Sequence, residues 1–186
     1  MLRDSQKDYL VPMKKLLLTV AFISVGLLSA KAQLAGLEFG GYGSYWKPKD
    51  LDKGYGGGAV VRAQLFGFLG ADARVGYFQF DNPTVDMIPI EATALLRFPF
   101  PLVSPFAGIG AGYYQFSGEK GFSLDDEAGW FGTAGLDVTL GDLRVFFEWR
   151  YQFLEATVGS GGGGFSKGSE IDFSGNGFNL GVTWFF

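Results

Sequence analysis

The chain has no cysteine and no histidine. Without cysteine there is no disulfide framework, no thiolate nucleophile and no thiolate metal ligand. Without histidine there is no imidazole base, no proton relay near neutral pH, and neither a Ser–His nor a Cys–His catalytic pair. Charge is scarce too. Asp, Glu, Lys and Arg make up 18% of the 186 residues, where soluble domains average about 25%. The formal net charge of −4 leaves no basic footprint for nucleic acid. A long hydrophobic run is also missing. The most apolar stretch, Leu16 to Leu28, has 13 residues, short of the roughly 20 that a membrane-spanning helix needs. What is abundant is glycine, with 30 residues, and phenylalanine, with 20. Seven prolines and that aromatic content argue against a collagen-like or disordered chain, and the length allows about one domain.

The apolar stretch reads as an address. Lys14 and Lys15 precede it, and Ala30-Lys31-Ala32 follows it as a small-x-small cleavage site before Gln33. These are the three parts of a secretory signal peptide. Asp4 and Asp8 do not suit a positive leader, so Met13 is the expected start, with residues 1–32 an extension plus signal peptide cleaved after Ala32. No cysteine follows the site, which excludes a lipoprotein signal. The expected mature chain, 33–186, keeps 10 basic and 17 acidic residues, a net charge of −7.

That remainder has period two. Over 143–154, Val145, Phe147, Trp149, Tyr151 and Phe153 alternate with Arg144, Phe146, Glu148, Arg150 and Gln152. A strand sorts these onto two faces, whereas a helix would scatter the charges. The last ten residues alternate likewise. Eight strands are expected, at 36–46, 57–66, 70–79, 88–98, 105–116, 129–140, 143–155 and 175–186. Connections after the odd strands are long and polar (Lys47–Gly56, Phe80–Met87, Ser117–Ala128 and Ala156–Ser174). Those after the even strands are short. Long loops at one end and tight turns at the other describe an all-β, antiparallel up-and-down barrel crossing an outer membrane.

Charge placement sharpens the reading. All five arginines after residue 32 (Arg62, Arg74, Arg97, Arg144 and Arg150) fall on the register opposite the apolar one. The acids on that face are Glu38, Asp72, Glu91, Asp137 and Glu148. All five lysines (Lys47, Lys49, Lys53, Lys120 and Lys167) fall in long loops. A charge facing lipid at mid-depth costs about 2–4 kcal/mol, so a bilayer enforces this exclusion. A soluble eight-stranded barrel of lipocalin type would turn a polar register rich in Lys and Glu to water. Here the mixed register has no lysine, and arginine paired with carboxylate suits a crowded interior. A lumen filled by these ten charges, without an open channel, is expected for eight strands.

Two local patterns then carry a resemblance. The chain ends Asn179-Leu180-Gly181-Val182-Thr183-Trp184-Phe185-Phe186, and residues 104–113 read Ser-Pro-Phe-Ala-Gly-Ile-Gly-Ala-Gly-Tyr. Both resemble strands of the OmpA/OmpX-like small outer-membrane β-barrels, over the whole of 33–186. The resemblance implies that Asn179, Gly181, Trp184 and Phe186 form the signal read by the barrel-assembly machinery. It also implies outer-membrane lipid as surroundings, and no periplasmic domain is expected.

Other motifs are weaker. Gly54-Tyr55-Gly56-Gly57-Gly58-Ala59 matches a dinucleotide fingerprint in letters, but it opens a strand instead of joining a strand to a helix. Gly159 to Gly164 lacks the Lys-Ser/Thr of a phosphate loop and reads as a mobile external loop. Asp125-Asp126-Glu127 lacks calcium-loop spacing and reads as a solvated acidic loop. Gly108, Gly110 and Gly112 share one strand face and make room for bulky lumen neighbours. No cofactor, metal or catalytic residue is expected. The expected function is a non-enzymatic structural or surface-interaction barrel, with a possible surface ligand met through Phe80, Phe122, Phe165 and Phe173 in or near the loops. A narrow solute channel is the alternative, and a lipid-modifying enzyme is disfavoured by the missing histidine.

Overall fold

The computed structural model describes residues 36–81, 84–118, 123–160 and 166–185. The expected signal peptide with Ala30 and Ala32, and the residues Phe122, Phe165 and Phe186, lie outside the described residues.

Eight strands form a closed antiparallel barrel: β1 (Gly36–Pro48), β2 (Gly54–Phe66), β3 (Leu69–Asp81), β4 (Thr84–Arg97), β5 (Val103–Gly118), β7 (Glu127–Leu140), β8 (Leu143–Phe153) and β11 (Gly175–Phe185). Each pairs with its sequence neighbour in the barrel. β1 closes the ring on β11, from Glu38↔Phe185 to Pro48↔Gly175. Closure leaves no unpaired edge, the condition for crossing hydrocarbon with strands. Among the described residues no helix is long and apolar enough to cross a membrane. The shortest barrel strand has 11 residues, and at about 3.3 Å per residue and about 45° of tilt that covers about 25 Å, the height of an apolar barrel band.

Period-two patterning becomes inside and outside. In β8, Phe147, Trp149 and Phe153 are exposed, while Phe146, Glu148 and Gln152 are buried. Outward residues include Ile109 and Leu180, 71% and 61% exposed. Exposed aromatics gather near both ends of the wall: Phe39, Phe98 and Trp184 toward the short turns, and Tyr55, Tyr77, Tyr113 and Trp130 toward the long connections. One ladder is interrupted. The β3–β4 register runs to Val75↔Ile90 and resumes at Phe78↔Met87. Pro89, which has no N–H to give, lies in that gap.

Strands β1, β2, β3, β4, β5 and β7 run further toward the long connections than expected, and those connections carry structure of their own. β6 (Ser123–Leu124), β9 (Glu155–Ser160) and β10 (Glu170–Asp172) form a separate three-stranded sheet in the order β10-β9-β6. The connection expected to be simply long and polar, Ala156–Ser174, therefore holds most of β9 and all of β10. The strand expected over 143–155 breaks at Leu154, where the chain leaves the barrel for the small sheet. Gly159 is in β9, where an added Cβ would lie 2.8 Å from Asp125 Oδ1. It is not part of a free loop.

The closing seam allows no side chain at one point. A Cβ on Gly40 would sit 1.8 Å from the Val182 carbonyl oxygen of β11. Gly40→Val is therefore expected to push the seam apart, destabilising by at least the roughly 1–3 kcal/mol typical of overpacking. Loss of the compact heat-modifiable band on detergent gels would show it; a band and unfolding midpoint like those of the parent would contradict it.

Candidate functional site in the lumen

Inward-facing positions of the eight strands place all ten sequence-selected charges inside the barrel, each at most 8% exposed. They fall in three groups along the axis. Nearest the short turns, Arg144 donates to Glu38, and Thr183 Oγ1 donates to the other Glu38 oxygen at 2.6 Å. Arg97 lies 2.8 Å from Asp137 as an ion pair and donates to Gln64. In the middle, Arg62 bridges Asp72 (3.1 Å) and Asp137 (2.9 Å). Arg74 donates to Asp72 at 2.8 Å and grips Glu148 with both terminal nitrogens, at 2.6 and 2.7 Å. Asn179 Nδ2 also donates to Glu148, at 2.6 Å. Toward the long connections, Arg150 makes a two-pronged contact with Glu91 at 2.9 and 2.7 Å, and donates to Gln152 at 2.7 Å. Tyr114 donates to Glu91 at 3.0 Å and accepts from Gln152 at 2.8 Å.

Rings fill the space between these pairs. Phe146 lies under Arg62 at 4.1 Å and near Arg74 at 5.8 Å. Phe131 lies under Arg150 at 3.8 Å, and Phe185 under Arg144 at 4.6 Å. Guanidinium planes stack on such faces while their edges serve carboxylates, which lysine cannot do. The glycines of β5 create the room. A Cβ on Gly110 would lie 2.3 Å from the Phe131 ring, and one on Gly112 would lie 2.9 Å from both Glu91 and Tyr114.

Above the charges sits an aromatic cap. Trp46, Phe78, Phe80, Tyr114 and Phe116 from the barrel pack with Leu51, Leu124, Val158, Ile171 and Phe173 from the connections and the small sheet. Trp46 meets Phe78 and Phe80 edge-on at 5.8 Å, and Phe173 lies 5.6 Å from Phe80 and 4.8 Å from Phe116. Phe80 and Phe173, expected as exposed contact residues, are 1% and 0% exposed. Burying such rings against the lumen mouth removes more apolar area from water than displaying them. Alternation continues through β10 and just past its end, with Ile171 and Phe173 both buried, and that was the signal sequence reasoning passed over.

The cap is tied down at one edge. Lys49 N donates to the Ser174 carbonyl at 3.0 Å, and Asp172 N donates to Asp50 at 3.0 Å. Lys49 Nζ donates to Asp172 at 2.8 Å, and so does Ser174 N, also at 2.8 Å. Burial pushes the Asp172 carboxyl upward, but the bonds from Lys49 and Ser174 outweigh it and hold it below its usual value. The same bond raises the Lys49 ammonium.

The expected assembly residues divide between faces: Asn179 and Gly181 point inward, and Trp184 is exposed outward. In Asp125-Asp126-Glu127, Asp126 accepts from Tyr113 OH at 3.2 Å and from Phe116 N at 3.1 Å. Among the described residues, no group of three or more His, Cys, Asp or Glu is placed to hold a metal.

Comparison with solved structures shows the fold again. Neisserial surface protein A superposes with a TM-score of 0.66 at 14% identity, over 81% of this chain and 97% of that one. Outer membrane protein OprG from Pseudomonas aeruginosa gives 0.64 at 15%, over 83% and 98%. Outer membrane protein AlkL, solved in lipid bilayers, gives 0.55 at 16%, over 84% and 93%. The architecture is that of the small eight-stranded outer-membrane barrels. No protein-family profile and no curated protein matches the sequence.

Two expectations follow from the geometry. Glu148→Leu leaves Arg74 with Asp72 alone and is expected to cost about 3–5 kcal/mol, read as a lower urea midpoint in detergent, whereas Arg74→Met combined with it restores much of the loss. An unmoved midpoint in the single variant contradicts a stabilising pair. The Asp172 contribution exists above the ordinary carboxylate pKa of about 3.9 and is lost as pH falls through the depressed value. Asp172→Asn is therefore expected to melt earlier than the parent at neutral pH, with the gap closing in acid; a constant gap across that range contradicts the linkage.

Proposed function

We propose that this chain is an integral outer-membrane barrel whose lumen is sealed and whose role is structural or surface-interacting, exerted at the end that carries the long connections. The observation that carries the reading is the filled interior. Ten buried charges pair across it, and the aromatic cap lies over its mouth. Such an interior suits rigidity, because each guanidinium is held by carboxylates that are themselves held elsewhere. Placement in a membrane is supported by the uninterrupted apolar outer register, by its aromatic belts and by the likeness to OprG and AlkL. In this orientation the short turns face the periplasm and the small sheet faces outward. Assembly through the last strand, and export by residues 1–32, belong to the same proposal.

The competing reading is a narrow solute channel. Purified barrel in planar bilayers is expected to give no reproducible unitary current, in the parent and in Phe173→Ala alike, because the charged layers remain below the cap. Regular conductance steps from the parent protein overturn the sealed-lumen reading.

A further inference from the structure

The lumen charges balance over the whole barrel but not along it. Toward the short turns three arginines come together. Arg62 and Arg97 hold the two oxygens of one carboxylate, Asp137, at 2.9 and 2.8 Å. Arg144 pairs with Glu38, and Glu38 is the register partner of Arg62. Arg144 also stands within electrostatic reach of Arg62, Arg97 and Asp137. Only two acids, Glu38 and Asp137, belong to this level alone. The third acid that Arg62 touches, Asp72, is held by Arg74 as well, and Arg74 also carries Glu148. The short-turn level therefore keeps an excess of positive charge, and the middle of the lumen the matching excess of negative charge.

Donors are in excess at the same place. Arg62 Nη2, Arg97 Nη2 and Arg144 Nε are buried and have no hydrogen-bond partner among the described residues. A buried donor on a charged group is costly to leave unserved. The acceptors beside them are already engaged: Asp137 by two guanidinium groups, Glu38 by Arg144 and Thr183, and Gln64 Oε1 by Arg97. The Phe106 ring lies 5.5 Å from Arg62 and the Phe185 ring 4.6 Å from Arg144, and neither offers an oxygen. Arg144 keeps 8% of its surface exposed, so this group touches water at the short-turn end.

We propose that Arg62, Arg97 and Arg144 together bind one small inorganic anion of chloride size, which enters from the short-turn end. A monatomic ion accepts N–H groups from any direction, which suits donors that arrive from three different strands. An eight-stranded interior is filled by its own side chains, and that favours an ion about as large as one water over a bulkier anion. The site needs the lumen geometry alone and does not depend on the membrane placement. The test has two readings on the full barrel in detergent. Crystals grown with bromide in place of chloride are expected to show an anomalous peak between the three guanidinium groups. The urea midpoint, measured at constant ionic strength while chloride replaces gluconate, is expected to rise, because an ion held only by the folded barrel stabilises it. Arg97→Gln removes one charged donor and is expected to raise the chloride concentration needed for that rise about tenfold, whatever its own midpoint. No peak, or water alone at the site, overturns the proposal. A peak without a chloride-dependent midpoint marks an adventitious ion only and overturns it too. An equal rise with sulfate, or an unchanged chloride dependence in Arg97→Gln, shows general salt action and overturns the site. If Arg97→Gln does not fold, the bromide peak and the chloride dependence of the parent decide.

Discussion

An ion cannot face hydrocarbon, and this constraint organises the molecule. Every arginine among the described residues and five of the acids stand on the register that turns inward, where each meets an opposite charge. Once the arginines and their partner acids are confined to one register, the other is free to be apolar over the middle of the wall, with polar residues such as Gln79 and Asn176 only toward the long connections. The backbone then satisfies its own hydrogen bonds only by closing the sheet. Barrel closure, period-two patterning and the choice of arginine over lysine in the lumen are three consequences of one exclusion.

Confinement brings its own problem. Paired ions in a low-dielectric interior contribute little net stability unless geometry is close and lone pairs are served. Here Glu148 receives both prongs of Arg74 and the amide of Asn179, and Glu91 receives Arg150 and Tyr114. The rings of Phe146 and Phe131 fill the gaps between guanidinium planes. Farther along the axis the inward register changes from charge to aromatics: Asp72 and Arg74 give way to Phe78 and Phe80 on the same strand. That change marks where the lumen network ends and the cap begins.

Barrel class, the number of barrel strands and their two-faced alternation were legible in the sequence because alternation is a local property. Val145 to Phe153 declares its two faces without reference to any other strand. Which charge pairs with which was not legible, since Arg62 reaches Asp137 across 75 positions and that depends on barrel radius and stagger. The cap was misread for a related reason. Phe80 and Phe173 sit among polar, glycine-rich residues, and only the return of β9 and β10 over the mouth buries them. Composition marks a loop there, while the fold uses the loop's few apolar side chains as a lid.

The division of faces is tested most directly by single spin-labelled cysteines along β11 in lipid bilayers, a clean scan because the chain has no cysteine of its own. Labels from Asn179→Cys to Trp184→Cys are read for collision with oxygen, which concentrates in lipid, and with a water-soluble nickel chelate. Oxygen access is predicted to peak at 180, 182 and 184, with both reagents weak at the lumen positions 179, 181 and 183. Strong nickel access at 180 and 182, or no alternation, would contradict a lipid-facing apolar register and the charged lumen derived from it.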